Sequence, residues 1–377
     1  MRSYNDGRWL LDKDSQMNRL ADWVEALPED WKWMVLIPKE IQTAGDPRIL
    51  TSLNVDGWEM PWPGNVLLAR YHFDANRIKE AIQWFEPELI LTEVPELARN
   101  YKAVLKMLGK EIPVVSLCIH LDDGSDDWSY TPRQWDGLYC SDLFAFQLEG
   151  TRRQFFGGIE ESSTHTRIWN ALYSPREVEA ALDVDLIAEF EATVKKMPVV
   201  FFTARLSDND RTRYEEFFKA CRILEDRGVE FDLWVANPNK AKPNEWIERQ
   251  LRTKTPLIIE PTRPDYLEAL WLADIVPILW DQSRIHSRSF CEAIEANNLI
   301  LTAGGGIFDA PFTRLYDESE PLLIAAVLEK MIEKLSDHVA VTDVLEGQRA
   351  WLRKERYVES NIHKVRGDLE GLVRVHA

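Results

Sequence analysis

The chain has 377 residues, more than one hydrophobic core usually organises, so two domains are expected. Hydrophobic residues at 45% and charged residues at 29% describe a globular chain, neither disordered nor fibrous. A net charge of -18 argues against a broad nucleic-acid-binding surface and leaves only a local one open. No apolar run approaches the roughly 20 residues that cross a bilayer, and the start, Met1 to Asp6, lacks an apolar signal core. The expectation is a cytoplasmic protein without membrane insertion. Four cysteines (Cys118, Cys140, Cys221, Cys291) are scattered without metal-ligand spacing, which speaks against a disulfide framework or a zinc site. No glycine-rich dinucleotide fingerprint follows a strand, and neither Gly-x-Ser-x-Gly nor His-Glu-x-x-His occurs. Dinucleotide oxidoreductase, serine hydrolase and zincin readings therefore lose their usual support.

In chain order, Trp33 to Pro38 reads as a strand followed by a loop with Gly45, and Asn65 to Arg70 as a second strand. A helix is predicted over Ala75 to Phe85, a short buried strand over Leu89 to Thr92 and a helix over Pro95 to Leu108. Pro113 to Ile119 and Leu143 to Gln147 are further apolar strands. Continuous apolar strands alternating with helices imply a parallel, doubly wound sheet covered on both faces. Ser174-Pro175-Arg176-Glu177 carries helix-start chemistry, and a helix from there to about Lys196 closes the first domain, 1–196. The second domain, 197–340, opens with the apolar run Val199 to Phe202 and repeats the alternation through Phe231 to Ala236. It continues with a helix over Ile258 to Ala273 and the strand around Asp274 to Trp280. Residues 341–377 read as helical and locally basic, with seven Arg or Lys against four acids from Arg349 onward.

The stretch Ser283 to Phe308, SRIHSRSFCEAIEANNLILTAGGGIF, is the most informative. It orders a strand end, a polar loop, a short helix, a second apolar strand (Leu299 to Leu301) and three glycines. In a parallel sheet the carboxyl ends of strands face the ligand crevice. The helix after Ser287 offers unpaired N–H groups to an anion, beginning with Arg288, Ser289 and Phe290. Glu292, one turn on, stands where a carboxylate can hold two ribose hydroxyls. Upstream, Arg205 and Arg211 follow an apolar strand, and a guanidinium suits phosphate because its planar fork donates two parallel hydrogen bonds.

Cys291-Glu292-Ala293-Ile294-Glu295-Ala296, with the Ala204-Arg205-Leu206 strand end, resembles the donor-binding signature of GT-B glycosyltransferases. The resemblance is to the large retaining, family 4-like group, and it covers roughly residues 197–310. It implies two Rossmann-type domains facing across a cleft, with a C-terminal helix crossing back to the first. It also implies Glu292 on the donor ribose, Arg205 and Arg211 on the diphosphate, and the helix start against the same phosphates. Eight residues before Glu292, where the group has a second Glu on the donor sugar, this chain has Arg284, with Asp281 and His286 nearby. Arg288 adds positive potential. In the first domain, His120 resembles the group's strand-end His that contacts the sugar. Gly45 matches the place where backbone nears donor and acceptor. Asp122, beside Asp123, and Glu93 are rival candidates for the base or for holding acceptor hydroxyls.

The reading is a hexosyltransferase-like enzyme moving a sugar from a nucleotide diphosphate, with UDP-sugar as co-substrate, to an acceptor hydroxyl with retention. No metal or further cofactor is required when arginines and a helix start carry the leaving charge. The acidic run at 121–127 has metal-like spacing, but oxygen sites need several convergent ligands. A saccharide, a small molecule and a hydroxymethylated DNA base all stay open as acceptor; the last is kept by the basic tail and opposed by the overall charge. Two alternatives are a GT-B nucleotide-sugar epimerase and a non-catalytic nucleotide-sugar-binding protein.

Overall fold

The computed structural model describes residues 35–38, 49–53, 75–92, 95–118, 130–147, 149–156, 165–169, 172–203, 206, 213–237, 242–259, 263–279, 288–303, 313–315 and 319–376. They belong to two compact units: 1–172 together with 358–377, and 173–357.

The first unit holds a parallel pair, β1 (Val35–Pro38) and β2 (Ile49–Leu53), and a four-stranded parallel sheet. That sheet runs in the order β3 (Ile90–Thr92), β4 (Val114–Cys118), β5 (Leu143–Phe146), β6 (Thr166–Ile168). Helices α1 (Ala75–Phe85), α2 (Ala98–Leu108), α3 (Tyr130–Cys140) and α4 (Glu149–Phe156) connect the strands. One side chain set of the sheet, Ile90 and Val114, meets Ile78, Ile82, Tyr101 and Leu105 of α1 and α2. Another, Val115, Leu117, Leu143 and Ala145, meets Val358, Ile362, Val365 and Leu369 of the terminal helix (Val358–His376). Those four positions form one helical stripe, and each buried side chain contributes about 1.5–3 kcal/mol. Asp368 on the same helix accepts from Trp169 Nε1 at 2.7 Å and Arg167 Nε at 3.2 Å. Gly137 of α3 lies so close to the turn at Pro95 that a Cβ there would stand 2.5 Å from the Pro95 carbonyl oxygen.

The second unit is a six-stranded, wholly parallel sheet. Its strands are β7 (Val199–Phe202), β8 (Asp232–Ala236), β9 (Leu257–Ile259), β10 (Ile275–Ile278), β11 (Leu299–Ala303) and β12 (Thr313–Leu315). They lie side by side as β12-β11-β10-β7-β8-β9. This is the doubly wound order in which chain direction across the sheet reverses between β7 and β10, and such a switch point opens a crevice at the carboxyl ends. Its helices are α5 (Arg176–Ala180), α6 (Val184–Thr193), α7 (Tyr214–Asp226), α8 (Asn244–Glu248), α9 (Arg263–Leu272), α10 (Arg288–Glu295), α11 (Pro321–Lys334) and α12 (His338–Glu355). Val200, Phe202, Leu233 and Leu301 pack with α7 and α11 on one face. Phe201, Val276, Ile278 and Ile300 pack with α9, α10 and Leu352 of α12 on the other. Gln348 of α12 clamps the start of β11, accepting from Ile300 N at 3.2 Å and donating to Asn298 O at 2.9 Å.

Several elements differ from the sequence reading. Ile49–Leu53 is a strand where only a loop with Gly45 is expected. The helix expected over Ile258 to Ala273 begins only at Arg263, because Leu257–Ile259 pairs with β8 as an edge strand. The helix expected from Ser174 to Lys196 is two, since Asp183 caps a new start by accepting from Leu186 N at 2.9 Å. Both α5 and α6 belong to the second unit, where Val178 and Phe190 pack with its core. The helical tail also divides, at Arg356–Tyr357. The strand expected over Asn65 to Arg70 lies outside the described residues.

Candidate functional site

Two adjacent strands at the switch point feed the segments singled out from sequence. β7 leads into 203–213, which carries Arg205 and Arg211, and β10 leads into 279–287 and the start of α10. Arg205 and Arg211 lie outside the described residues, as do Gly45, Glu93, His120, Asp122 and Arg284. The structure therefore brings together the α10 residues: Arg288, Ser289, Phe290 and Glu292.

α10 is buried along nearly its whole length, although three of its eight residues are charged. Its end is set by Asn297, which adopts φ +62° and lets Asn298 N donate to Ala293 O at 3.0 Å; asparagine tolerates this left-handed position at low cost. Within the helix Arg288 Nε donates to Glu292 Oε1 at 2.9 Å, and the two side chains are 5% and 2% exposed. The Arg288 guanidinium also stands 5.4 Å from the centre of the Tyr173 ring. A buried pair of this kind orients Glu292, because either charge alone would carry a large desolvation cost. Phe290 turns inward and meets Trp351 edge-on at 5.9 Å, while Ser289 is half-buried.

Charge and burial shape the neighbours. Burial first, then the Glu292 charge, pushes the Tyr173 hydroxyl well above its ordinary pKa, so it stays neutral. Its oxygen is buried and has no hydrogen-bond partner. Glu295 accepts from the Tyr357 hydroxyl at 2.6 Å; burial raises its carboxyl, and that hydrogen bond opposes the rise. Arg356, buried beside the Trp351 ring, is lowered from its usual value by burial.

Three residues missed by sequence reasoning carry buried polar atoms without a partner, two near the carboxyl ends of strands and one at a helix start. Arg213 precedes α7 with φ +51°, a strained conformation for a residue with a side chain, and its Nε is buried without a partner. Thr302, near the end of β11 and opposite Ile278 of β10, has a buried hydroxyl without a partner. Gln147, just past β5, has an unsatisfied buried Oε1. The signal for Thr302 was a lone hydroxyl in the run Leu299 to Ala303; nothing in sequence marks the backbone of Arg213. Among the described residues, no group of three or more His, Cys, Asp or Glu is placed to hold a metal, and no helix is long and apolar enough to cross a membrane.

These features define a parallel α/β protein whose larger sheet has a switch point between β7 and β10. Compared with known proteins, the chain matches no family model and no curated protein by sequence. Solved structures do resemble it. Anabaena HepE in complex with UDP superposes with a TM-score of 0.64 at 11% identity, over 79% of this chain and 82% of that one. A trehalose-6-phosphate synthase, OtsA, gives 0.64 at 12%, over 96% and 94%. A glycosyltransferase from Rickettsia africae gives 0.61 at 13%, over 84% of each. The fold is that of the GT-B glycosyltransferases.

Proposed function

We propose that this protein is a glycosyltransferase that takes a sugar from a nucleotide diphosphate, with a UDP-hexose as donor, and places it on an acceptor hydroxyl. The observation that carries the reading is the buried Arg288–Glu292 pair on α10, beside the switch point of a GT-B fold. HepE has been solved with UDP and with UDP-glucose, which supports a uridine nucleotide here.

In this reading Glu292 accepts two hydrogen bonds from the donor ribose, and Arg288 acts through it as a positioning residue. Arg205, Arg211 and Arg213, with the first N–H groups of α10 at Ser289 and Phe290, face the diphosphate. Negative charge grows on that diphosphate as the bond to the sugar breaks, and fixed cations and dipoles stabilise it. The Thr302 hydroxyl supplies one further polar contact. On the acceptor side His120 contacts the sugar, with Asp122 or Glu93 taking the acceptor proton and Gly45 admitting close backbone approach. Excluding water favours the acceptor hydroxyl over hydrolysis. The resemblance to the retaining group supports retention. A saccharide or small molecule suits the acidic chain better than a hydroxymethylated DNA base, because an anionic surface repels a polyanion.

The test is incubation with UDP-glucose and a panel of saccharide and hydroxymethylated-DNA acceptors, followed by mass spectrometry. A hexose mass added to an acceptor, and lost in Glu292→Gln, supports the proposal. Conversion of donor without an acceptor product points instead to an epimerase.

A further inference from the structure

The second unit begins at Tyr173 and ends at Tyr357, so the chain passes between units just before the first and just after the second. These residues are joined: they form an isolated parallel bridge, in which Tyr173 N donates to Arg356 O at 2.9 Å, and their rings lie 6.2 Å apart. Each is also tied to α10. Arg288 stands over the Tyr173 ring, and the Tyr357 hydroxyl donates to Glu295 Oε2. Arg288, Glu292 and Glu295 fall at i, i+4 and i+7, one stripe along the helix. One face of α10 thus carries the carboxylate assigned to the ribose, its counter-ion and both attachments to the chain crossings.

From this we infer that Tyr173 and Tyr357 are positioning residues for the nucleotide, and that α10 couples nucleotide binding to the order of the two chain crossings. The inference rests on the reading of Glu292 as ribose ligand. Its physical basis is that the stripe is buried, where a guanidinium shared between a carboxylate and a ring is held in one geometry. Hydrogen bonds from a ribose to Glu292 draw on the carboxylate that Arg288 also holds, so they act through Arg288 on the Tyr173 ring. Glu295 moves with the same rigid turn and holds Tyr357. Coupling of this kind is reciprocal: if nucleotide orders the crossings, disordering a crossing weakens the nucleotide by the same factor.

The experiment uses the full chain. UDP affinity is measured by calorimetry for the native protein, Tyr357→Phe, Tyr173→Leu and Glu225→Gln. Amide hydrogen exchange with and without saturating UDP is followed in peptides spanning Tyr173 and Arg356–Tyr357. Glu225 lies on α7, where its carboxylate holds Arg252 N and Thr253 N, and it serves as a purely structural control. UDP is expected to slow exchange at both crossings in the native protein. Tyr357→Phe, which keeps the ring, is expected to weaken UDP by about five-fold and to abolish the slowing at Tyr357. Tyr173→Leu is expected to do the same at Tyr173, and Glu225→Gln to change neither. UDP that binds without altering exchange at either crossing, or that binds Tyr357→Phe as tightly as the native protein, overturns the coupling while leaving the donor site standing. No heat with UDP in the native protein overturns the donor reading and the coupling together.

Discussion

Asp142 and Asp274 hold the same place in the two larger parallel sheets. Each stands one residue before a strand, β5 or β10, and its carboxylate accepts the first N–H of the neighbouring strand: Val114 at 2.6 Å and Val199 at 2.8 Å. Each also faces a lysine, Lys102 or Lys195. The backbone repeats the match, with Asp142 N donating to Val114 O and Asp274 N to Val199 O. At their carboxyl ends the sheets part company. Behind β5 lies a set of interlocked rings, Trp135, Phe144, Phe146, Phe155 and Phe156. Beyond β10 lies the buried ionic stripe of α10. At Asp142 and Asp274 the amino ends satisfy their carboxylates internally and tie neighbouring strands, whereas Asn298, one residue before β11, keeps a buried Oδ1 without a partner. The carboxyl ends leave Gln147 and Thr302 oxygens unsatisfied inside the protein. The paired carboxylates of Asp142 and Asp274 serve the scaffold, and the unsatisfied oxygens at the carboxyl ends stand on the side of the sheet where a ligand is expected.

The largest effect should come from breaking the ionic stripe. Arg288→Met leaves Glu292 as an uncompensated buried charge and is expected to cost about 3–5 kcal/mol in denaturant unfolding. The double variant Arg288→Met/Glu292→Leu should recover most of that loss while binding no nucleotide, separating stability from function at one site. A smaller and symmetric effect is expected at the amino ends. Asp142→Ala and Asp274→Ala should each cost about 2 kcal/mol, through the lost charge-assisted bond to a strand N–H, and Asp274→Ala should leave UDP affinity unchanged. Unequal losses, or a UDP defect in Asp274→Ala, would break the division between scaffold and site. The smallest effect concerns pH. Burial raises the Glu225 carboxyl, but the Thr253 hydroxyl and the backbone N–H groups of Arg252, Thr253 and Lys254 outweigh it and hold it below its ordinary value. A carboxylate lowered on folding adds stability above its unfolded pKa and loses it as pH falls through the folded one. Glu225→Gln should therefore lower stability at neutral pH, converge with the native protein in acid, and so flatten the acid side of the stability profile.

The α/β alternation was legible because the central strands are continuous apolar runs. Val114–Cys118, Leu143–Phe146, Val199–Phe202 and Ile275–Ile278 are buried throughout, and helix α1 falls where its periodicity places it. Among the peripheral strands β3 was legible, but β2 and β9 were not. Ile49–Leu53 mixes Thr and Ser into a short run, and Leu257 of β9 is about half exposed, so neither carries the signature of burial on both faces. A short helix carrying Glu292 between two apolar strands was visible in the sequence. The partner of Glu292 was not: an Arg and a Glu four apart on a helix ordinarily read as a solvent-exposed pair. Tyr173, distant in sequence, returns over Arg288, and a long-range contact of that kind leaves no local pattern.

The central claim is that the buried carboxylate of α10 grips the ribose of a nucleotide diphosphate. Calorimetric titration of the native protein and Glu292→Gln with UDP tests it most directly. Saturable heat in the native protein, with affinity reduced about ten-fold or more in the variant, is the predicted result, since a hydrogen bond to a charged group contributes about 1.5–3 kcal/mol. Equal UDP affinity in the two proteins, both shown to be folded, would contradict it.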